Sequence, residues 1–447
     1  MVLPKWDFPP LMLSIIYRHV DPSRVGCPHQ EMHMPLVELT TDHTAWLTKL
    51  ENYLIAERYS RNGRERVSMA RRFLSHLEKM GLSVHTAGLL DVRMYLRRLK
   101  RLRPFHVRSN LSHGQRQCHE TAVRMLLRLV HGKWPPNAVP QTDRERFHRT
   151  LIEGYDASMS NLRGLRPGTR SRQCASALRF LQWLGDRGHE ATIGMLTIED
   201  VDIYVQCRMQ SLQRRATKKG CAVHLRSFLR YLHDSGRTQD LASSVLLPKL
   251  YVHEGIPSTL RPDEIKQVLQ STRQDRSSIG LRDFAILTLL STYGLRAGEI
   301  TSLRLDDIDW KHDRLRIHHS KTGVHSELPL LRVPGEAILK YLSKGRPKST
   351  EREIFLRTCA PYRALHAGSL HSVLEPRLKA AGVVPRGKRG PHAWRHAKAA
   401  ALLQQAVPLK VIGDLFAHRS ATSTMAYLKL DVEQLRGIAL ELPGARP

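Results

Sequence analysis

Arg72-Phe73-Leu74, with Leu77 and Gly81 behind it, recurs at the same spacing as Arg179-Phe180-Leu181 with Leu184 and Gly188. Two further matches follow in the same order. Asp91-Val92 with Tyr95 pairs with Asp200-Val201 and Tyr204, and Leu127-Arg128 with His131 pairs with Leu229-Arg230 and His233. A self-similar chain folds as repeated units, because like sequence buries like faces. Chance likeness between Arg- and Leu-rich helices is the competing reading, and three matches in one order weigh against it. Within each copy apolar residues recur at helical spacing between Gly and Pro breaks, which predicts a bundle of about four helices. The copies span 44–140 and 148–245, after an N-terminal extension over 1–43.

Beyond a linker at 246–258 the pattern changes. Leu260-Arg261-Pro262-Asp263-Glu264 opens a helix with acidic residues in its first turn, where the dipole favours them. Asp283 to Tyr293 is strongly apolar and stops at Gly294, as a buried helix with a glycine end does. Leu315, Ile317 and His319 then alternate with Arg314, Arg316 and His318, the period of a strand. Lys321-Thr322-Gly323 reads as a turn and Glu327 to Leu330 as the partner strand. Helices follow at about 368–381, 392–406, 408–416, 422–428 and 431–441. The fold class is therefore mainly α, with a small antiparallel sheet confined to a C-terminal domain over 259–442.

Charge narrows the partner. Lys and Arg total 71 against 41 Asp and Glu, a net +30 spread along the whole length. A polyanion, most commonly nucleic acid, accounts for it; ribosome association or an Arg-favouring genome would be plainer explanations. Basic residues crowd both copies, as at Arg58, Arg61, Arg64 and Arg66. The candidate DNA contacts are Arg172, Arg214, Arg215, Lys218 and Lys219 in the second copy. The 6 cysteines are scattered, with no CxxC, which points to a reducing interior and away from a disulfide framework. Cys27, His29 and His33 match no standard zinc spacing, so no metal or other cofactor is expected. No stretch approaches the roughly 20 apolar residues a membrane span needs. The N-terminal run Phe8 to Ile16, broken by Pro9 and Pro10, does not read as a signal peptide. A cytoplasmic, nucleoid-associated protein is the expectation.

Breaking a phosphodiester without losing its energy calls for a nucleophile, cations on the non-bridging oxygens, and a proton donor for the departing oxygen. Residues 283–427 offer each part. Arg296 follows the break at Gly294, and Glu299, one turn on, is placed to orient it. Lys321 lies at the tip of the expected hairpin. His392 and Arg395, at i and i+3, share one face at a helix start. His418 follows an apolar run, and Tyr427 comes nine residues later. Phenols ionise at about pH 10 in water, so attack at neutral pH needs cations close by. Each residue alone has a bland reading: surface arginine, solvated turn lysine, capped helix, core tyrosine.

Taken together, Arg296, Lys321, His392, Arg395, His418 and Tyr427 resemble the Arg-Lys-His-Arg-His-Tyr set of the tyrosine recombinases, the lambda-integrase family. The strings 293–300, 392–396 and 425–427 look like that family's three best-known boxes. The likeness covers about 260–440. Upstream, 148–245 is similar to the family's helical core-binding domain, of the SAM-like kind, and 44–140 looks like an added duplicate. One box departs: relatives carry Leu-Gly before the second histidine, and here it is Phe416-Ala417, whose Cβ is expected to crowd a close backbone approach.

The resemblance implies a site-specific recombinase or integrase of a mobile element. Tyr427 attacks the scissile phosphate to form a 3′-phosphotyrosyl link, and Arg296 and Arg395 clamp the phosphoryl oxygens. Lys321 protonates the leaving oxygen, His392 assists proton transfer at the tyrosine, and His418 bonds a phosphoryl oxygen. It further implies a homotetramer on paired sites, or a mixed assembly with related recombinases, and the amphipathic segment at 431–441 is a candidate for docking on a neighbour. Asp306, Asp307 and Asp309 raise a two-metal nuclease as a rival but read better as a capping turn. An inactive DNA-binding accessory protein and a type IB topoisomerase also compete with the recombinase reading.

Overall fold

The computed structural model describes residues 39–59, 62–101, 113–135, 140–250, 259–319, 323–385, 387–418, 424–425 and 427–428. Several expectations lie outside the described residues: the extension before 39 with Cys27, His29 and His33, Arg61, the linker's end at 251–258, Lys321, and the tail at 431–441.

Helices α1 (Thr41–Ala56), α2 (Asn62–Lys79), α3 (Leu89–Arg101) and α4 (His113–His131) enclose Leu50, Phe73, Leu74, Leu77, Tyr95 and Leu126. Helices α5 (Asp143–Asn161), α6 (Pro167–Leu184), α7 (Ile198–Gln210) and α8 (Arg215–Asp234) enclose Phe180, Leu181, Tyr204, Phe228 and Leu229. The second set falls within Pro136–Glu254, a compact unit of its own. Residues matched between the copies take matched places. Phe73 meets Tyr95 edge-on with ring centroids 5.2 Å apart, and Phe180 meets Tyr204 edge-on at 4.9 Å. Asp91 accepts the Gly88 N–H at 2.7 Å at the start of α3, and Asp200 accepts that of Thr197 at 3.1 Å at the start of α7. The paired glycines diverge: Gly81 turns the chain at φ +65, whereas Gly188 packs where a Cβ would come 2.9 Å from the Leu181 carbonyl oxygen. Arg58, one of the crowded basic residues of the first copy, donates to the Lys348 carbonyl at 2.9 Å.

The C-terminal part is built around α10 (Ser278–Tyr293). Ser277 caps its start, accepting the Gly280 N–H at 3.0 Å. Ala285, Ile286, Leu287, Leu289 and Leu290 are all fully buried along it, and each large apolar side chain among them stabilises the fold by about 1.5–3 kcal/mol. Against α10 pack α9 (Pro262–Gln274), α12 (Arg332–Lys340), α13 (Leu370–Ala380) and α14 (Pro391–Gln404). Between α10 and α12 come the short α11 (Ala297–Thr301) and an antiparallel sheet in the order β1 (Ile308–Asp309), β2 (Arg314–His319), β3 (Val324–Pro329). Helix α15 (Leu409–Leu415) completes the set. Leu315, Ile317 and His319 face inward, as their alternation requires. Strand β3 starts at Val324, earlier than expected, because His325 and Ser326 are polar edge residues with no apolar alternation to announce them. Among the described residues no helix is long and apolar enough to cross a membrane. The molecule is mainly helical with one small sheet.

Candidate active site

Helix α14 places Arg395. Gly390 precedes the helix and Pro391 sits at its first position, where the missing N–H has no partner to lose. Trp394 and Ala397 face the main core, while Ala399 and Leu403 face a smaller cluster holding Ile412, Phe416 and Tyr427. Arg395 lies at the junction, 3% exposed. Its guanidinium donates to the Gly294 carbonyl at 2.8 Å, to the Phe416 carbonyl at 2.8 Å, and to His418 Nε2 at 3.2 Å. It also lies 4.1 Å from the centroid of the Phe416 ring. A planar, multi-donor cation is the residue that can make all of these at once. Burial and the nearby Arg296 charge hold it below its ordinary pKa, and Tyr427 opposes that shift.

Arg296 stands at the start of α11, after Gly294 has turned the chain at φ +63. A Cβ at 294 would meet the Phe416 ring at 2.8 Å, so glycine is required both for the turn and for space. Tyr293 ties this turn to the sheet, donating to the Pro329 carbonyl and accepting the Leu331 N–H, both at 2.8 Å. Glu299 takes the Arg296 N–H on one oxygen and the Arg296 guanidinium on the other, each at 2.7 Å. Burial opposes its charge. Hydrogen bonds from the Arg296 backbone, from His319 and from the Arg296 side chain outweigh that, and hold the carboxyl below its usual range.

Tyr427 is 3% exposed and sits in its own chain's site. Its ring stacks against His418 at 5.7 Å and meets His396 edge-on at 5.4 Å and Phe416 at 5.7 Å. His418 Nδ1 bonds Thr424 Oγ1 at 2.8 Å. Since Arg395 can only donate, the Nε2 facing it carries no proton, and Nδ1 does. Burial and the charges of Arg395 and Arg296 push His418 down to about 4, so it is neutral at pH 7. His392 is exposed on α14, its ring 6.3 Å from that of His396. Of the two histidines on α14, the one against Tyr427 is thus His396, one turn beyond His392. Burial first, then the His392, Arg395 and Lys388 charges, push His396 down to about 4. Its buried Nδ1 has no hydrogen-bond partner among the described residues.

Of the residues singled out in the sequence, Arg296, Arg395, His418 and Tyr427 converge. His392 stands at the edge, and Lys321 lies outside the described residues. His396, His319 and Thr424 carry no signal of their own, since each is identified only by its neighbours in space. Of the candidate DNA contacts, Arg172 is exposed on α6, Arg214 and Arg215 are exposed at the start of α8, and Lys218 and Lys219 are half-buried one turn on. The three aspartates are taken up locally. Asp306 pairs with Arg352, Asp307 accepts the Arg304 N–H and faces His318 Nε2 at 2.7 Å, and Asp309 accepts from Lys311 and His312. Asp307 caps the single 3-10 turn Leu305–Asp307, and Asp309, at the end of β1, caps the turn that follows it.

The phage integrase family model matches residues 258–434. The chain is 56% identical over 189 residues to "Putative integrase/recombinase y4gC" of Sinorhizobium fredii, covering 42% of this chain and 97% of that one. It is 35% identical over 311 residues to "Putative integrase/recombinase y4rA" of the same organism, covering 69% and 72%. A tyrosine recombinase XerC of Syntrophus aciditrophicus is 27% identical over 303 residues, covering 64% and 95%. A solved lambda integrase dimer bound to a core site overlaps at TM-score 0.49 and 18% identity, covering 66% of this chain and 98% of that one. By its match to the model and its identity to these relatives, the chain belongs to the phage integrase family and is a site-specific DNA recombinase of the tyrosine class.

Proposed function

We propose that this recombinase cuts and reseals duplex DNA through a 3′-phosphotyrosyl intermediate on Tyr427, in the service of a mobile element. The observation that carries the reading is the meeting of Tyr427, His418 and Arg395 in one chain, with Arg296 close enough to depress both Arg395 and His418. The Tyr427 oxygen attacks phosphorus, and the bond to the 5′ oxygen breaks. Lys321 gives that oxygen its proton, while the phenolic proton passes to an imidazole, His392 in the role the family implies. Arg296 and Arg395 neutralise the non-bridging oxygens, the largest contribution such sites make to phosphoryl transfer. The ester stores the energy of the broken bond, so the reverse attack by a 5′ hydroxyl needs neither ATP nor metal.

His418 has a condition attached to its role. A phosphoryl oxygen only accepts, and Nε2 at present accepts too. For His418 to bond the phosphate, the Arg395 guanidinium turns onto the phosphate and Nε2 gains a proton. Beyond this site, the two helical bundles serve as arms on the DNA backbone. Arg172, Arg214, Arg215, Lys218 and Lys219 supply charge there, and the active species is a tetramer, or a mixed assembly, on paired sites in the cytoplasm.

A pool of nicked duplexes of random sequence, incubated with the full chain in excess EDTA, tests the chemistry. Wild type traps a covalent protein–DNA adduct and Tyr427→Phe traps none. An adduct surviving Tyr427→Phe, or its loss in EDTA, removes the mechanism. No wild-type adduct across the pool leaves an inactive DNA-binding protein. Relaxation of supercoiled plasmid without paired sites gives the topoisomerase reading instead.

A further inference from the structure

We infer that His319 is a positioning residue, clamping Glu299, and through it the Arg296 guanidinium, to the β2–β3 hairpin. The inference rests on the reading of Arg296 as a phosphate clamp and adds a part to it.

His319 is the last residue of β2 and its side chain is 2% exposed. Nδ1 meets Glu299 Oε1 at 2.8 Å, and Nε2 meets Ser326 Oγ on β3 at 2.7 Å. An ionised carboxylate only accepts, so Nδ1 carries the proton; in the neutral ring Nε2 then accepts the Ser326 hydroxyl. Glu299 Oε1 also receives the Arg296 guanidinium at 2.7 Å. Ser326, His319, Glu299 and Arg296 thus form one chain of hydrogen bonds running from strand to clamp. The Gly323 N–H closes the turn by donating to the His319 carbonyl at 2.8 Å, so this one residue fixes both the hairpin's neck and the carboxylate.

The chemistry needs this for two reasons. Glu299 is 3% exposed, and a buried carboxylate keeps its charge only while donors surround it. Without the His319 proton its carboxyl rises toward the neutral form and its pull on Arg296 weakens. Arg296 is also long and rotamer-rich; a guanidinium held at one point swings, whereas one backed by a fixed carboxylate presents its free N–H groups in one direction. Lys321 lies between His319 and Ser326 in sequence. The clamp and the hairpin that carries the proposed general acid are therefore joined through His319.

The test uses a duplex that the wild-type chain cleaves, taken from the random nicked pool. His319→Leu slows single-turnover adduct formation by about 10- to 100-fold, the usual effect of removing a group that orients a charged side chain, with duplex affinity unchanged. His319→Gln, which offers one donor and one acceptor, recovers most of the rate. A methylphosphonate at the scissile position removes the charge Arg296 neutralises, and there the leucine variant approaches wild type. A wild-type rate for His319→Leu, or a deficit of the same size on phosphate and methylphosphonate, overturns the inference. Nitrogen NMR of the ¹⁵N-histidine-labelled full chain, with His319→Gln identifying the signal, gives a readout that does not depend on cleavage. A protonated Nδ1 at His319 supports the inference, and an unprotonated one ends it whatever the enzyme does. Failure of wild type to cleave any duplex sinks the functional reading alone.

Discussion

Ala417 turns the backbone at φ +46, in the left-handed region where a Cβ costs about 1–2 kcal/mol. The sequence leads one to expect crowding against a neighbour; the structure locates the cost in the backbone of this one residue, at the end of α15. Ala417→Gly therefore stabilises the chain by about 1 kcal/mol, after the extra freedom glycine gains when unfolded. A urea midpoint that rises agrees, and one that falls does not. Arg296, Arg395, His418 and Tyr427 are legible from residue type, order and interval. His319 and His396 are not. His319 alternates with exposed residues like any inward strand position, and its partner Glu299 lies 20 residues away. His396 adjoins Arg395 in sequence, yet only the fold shows that it, and not His392, meets the tyrosine ring.

Elements are joined here by charge as well as by apolar packing. Asp283 on α10 is 3% exposed and receives Arg282 on one oxygen, at 3.0 and 2.7 Å, and Arg377 of α13 on the other, at 2.8 Å. Arg377 also reaches Asp275, just past the end of α9, at 2.7 Å. Asp283→Ala leaves two guanidinium groups short of a counter-charge in a closed space, and the expected loss is about 3–5 kcal/mol. Denaturant unfolding checks this, and a loss under about 1 kcal/mol would mean the network relaxes onto water. Helix α10 itself is plain in the sequence, because its apolar run and its glycine end are local signals. Helices α11 and α12 and strand β1 are not. At 5, 9 and 2 residues they are too short for a period to emerge, and only tertiary contacts select them.

For the whole molecule the buried histidines set a pH dependence. His418 and His396, and His119 in the first bundle, are pushed down to about 4, in each case chiefly by burial. In the unfolded chain a histidine takes its proton near pH 6.5, so between about 6.5 and 4 the unfolded state binds more protons than the folded one. Stability is full above that window and falls as pH drops through it. Urea midpoints at pH 7.5 and 5 test this, and equal midpoints would contradict the burial of these rings.

The proposed chemistry turns on one oxygen atom. Mass spectrometry of the peptide carrying DNA, after trapping on a nicked duplex and nuclease digestion, locates the bond. The predicted product is a single nucleotide remnant linked through its 3′ phosphate to Tyr427. A remnant on any other residue, or one linked through a 5′ phosphate, contradicts it.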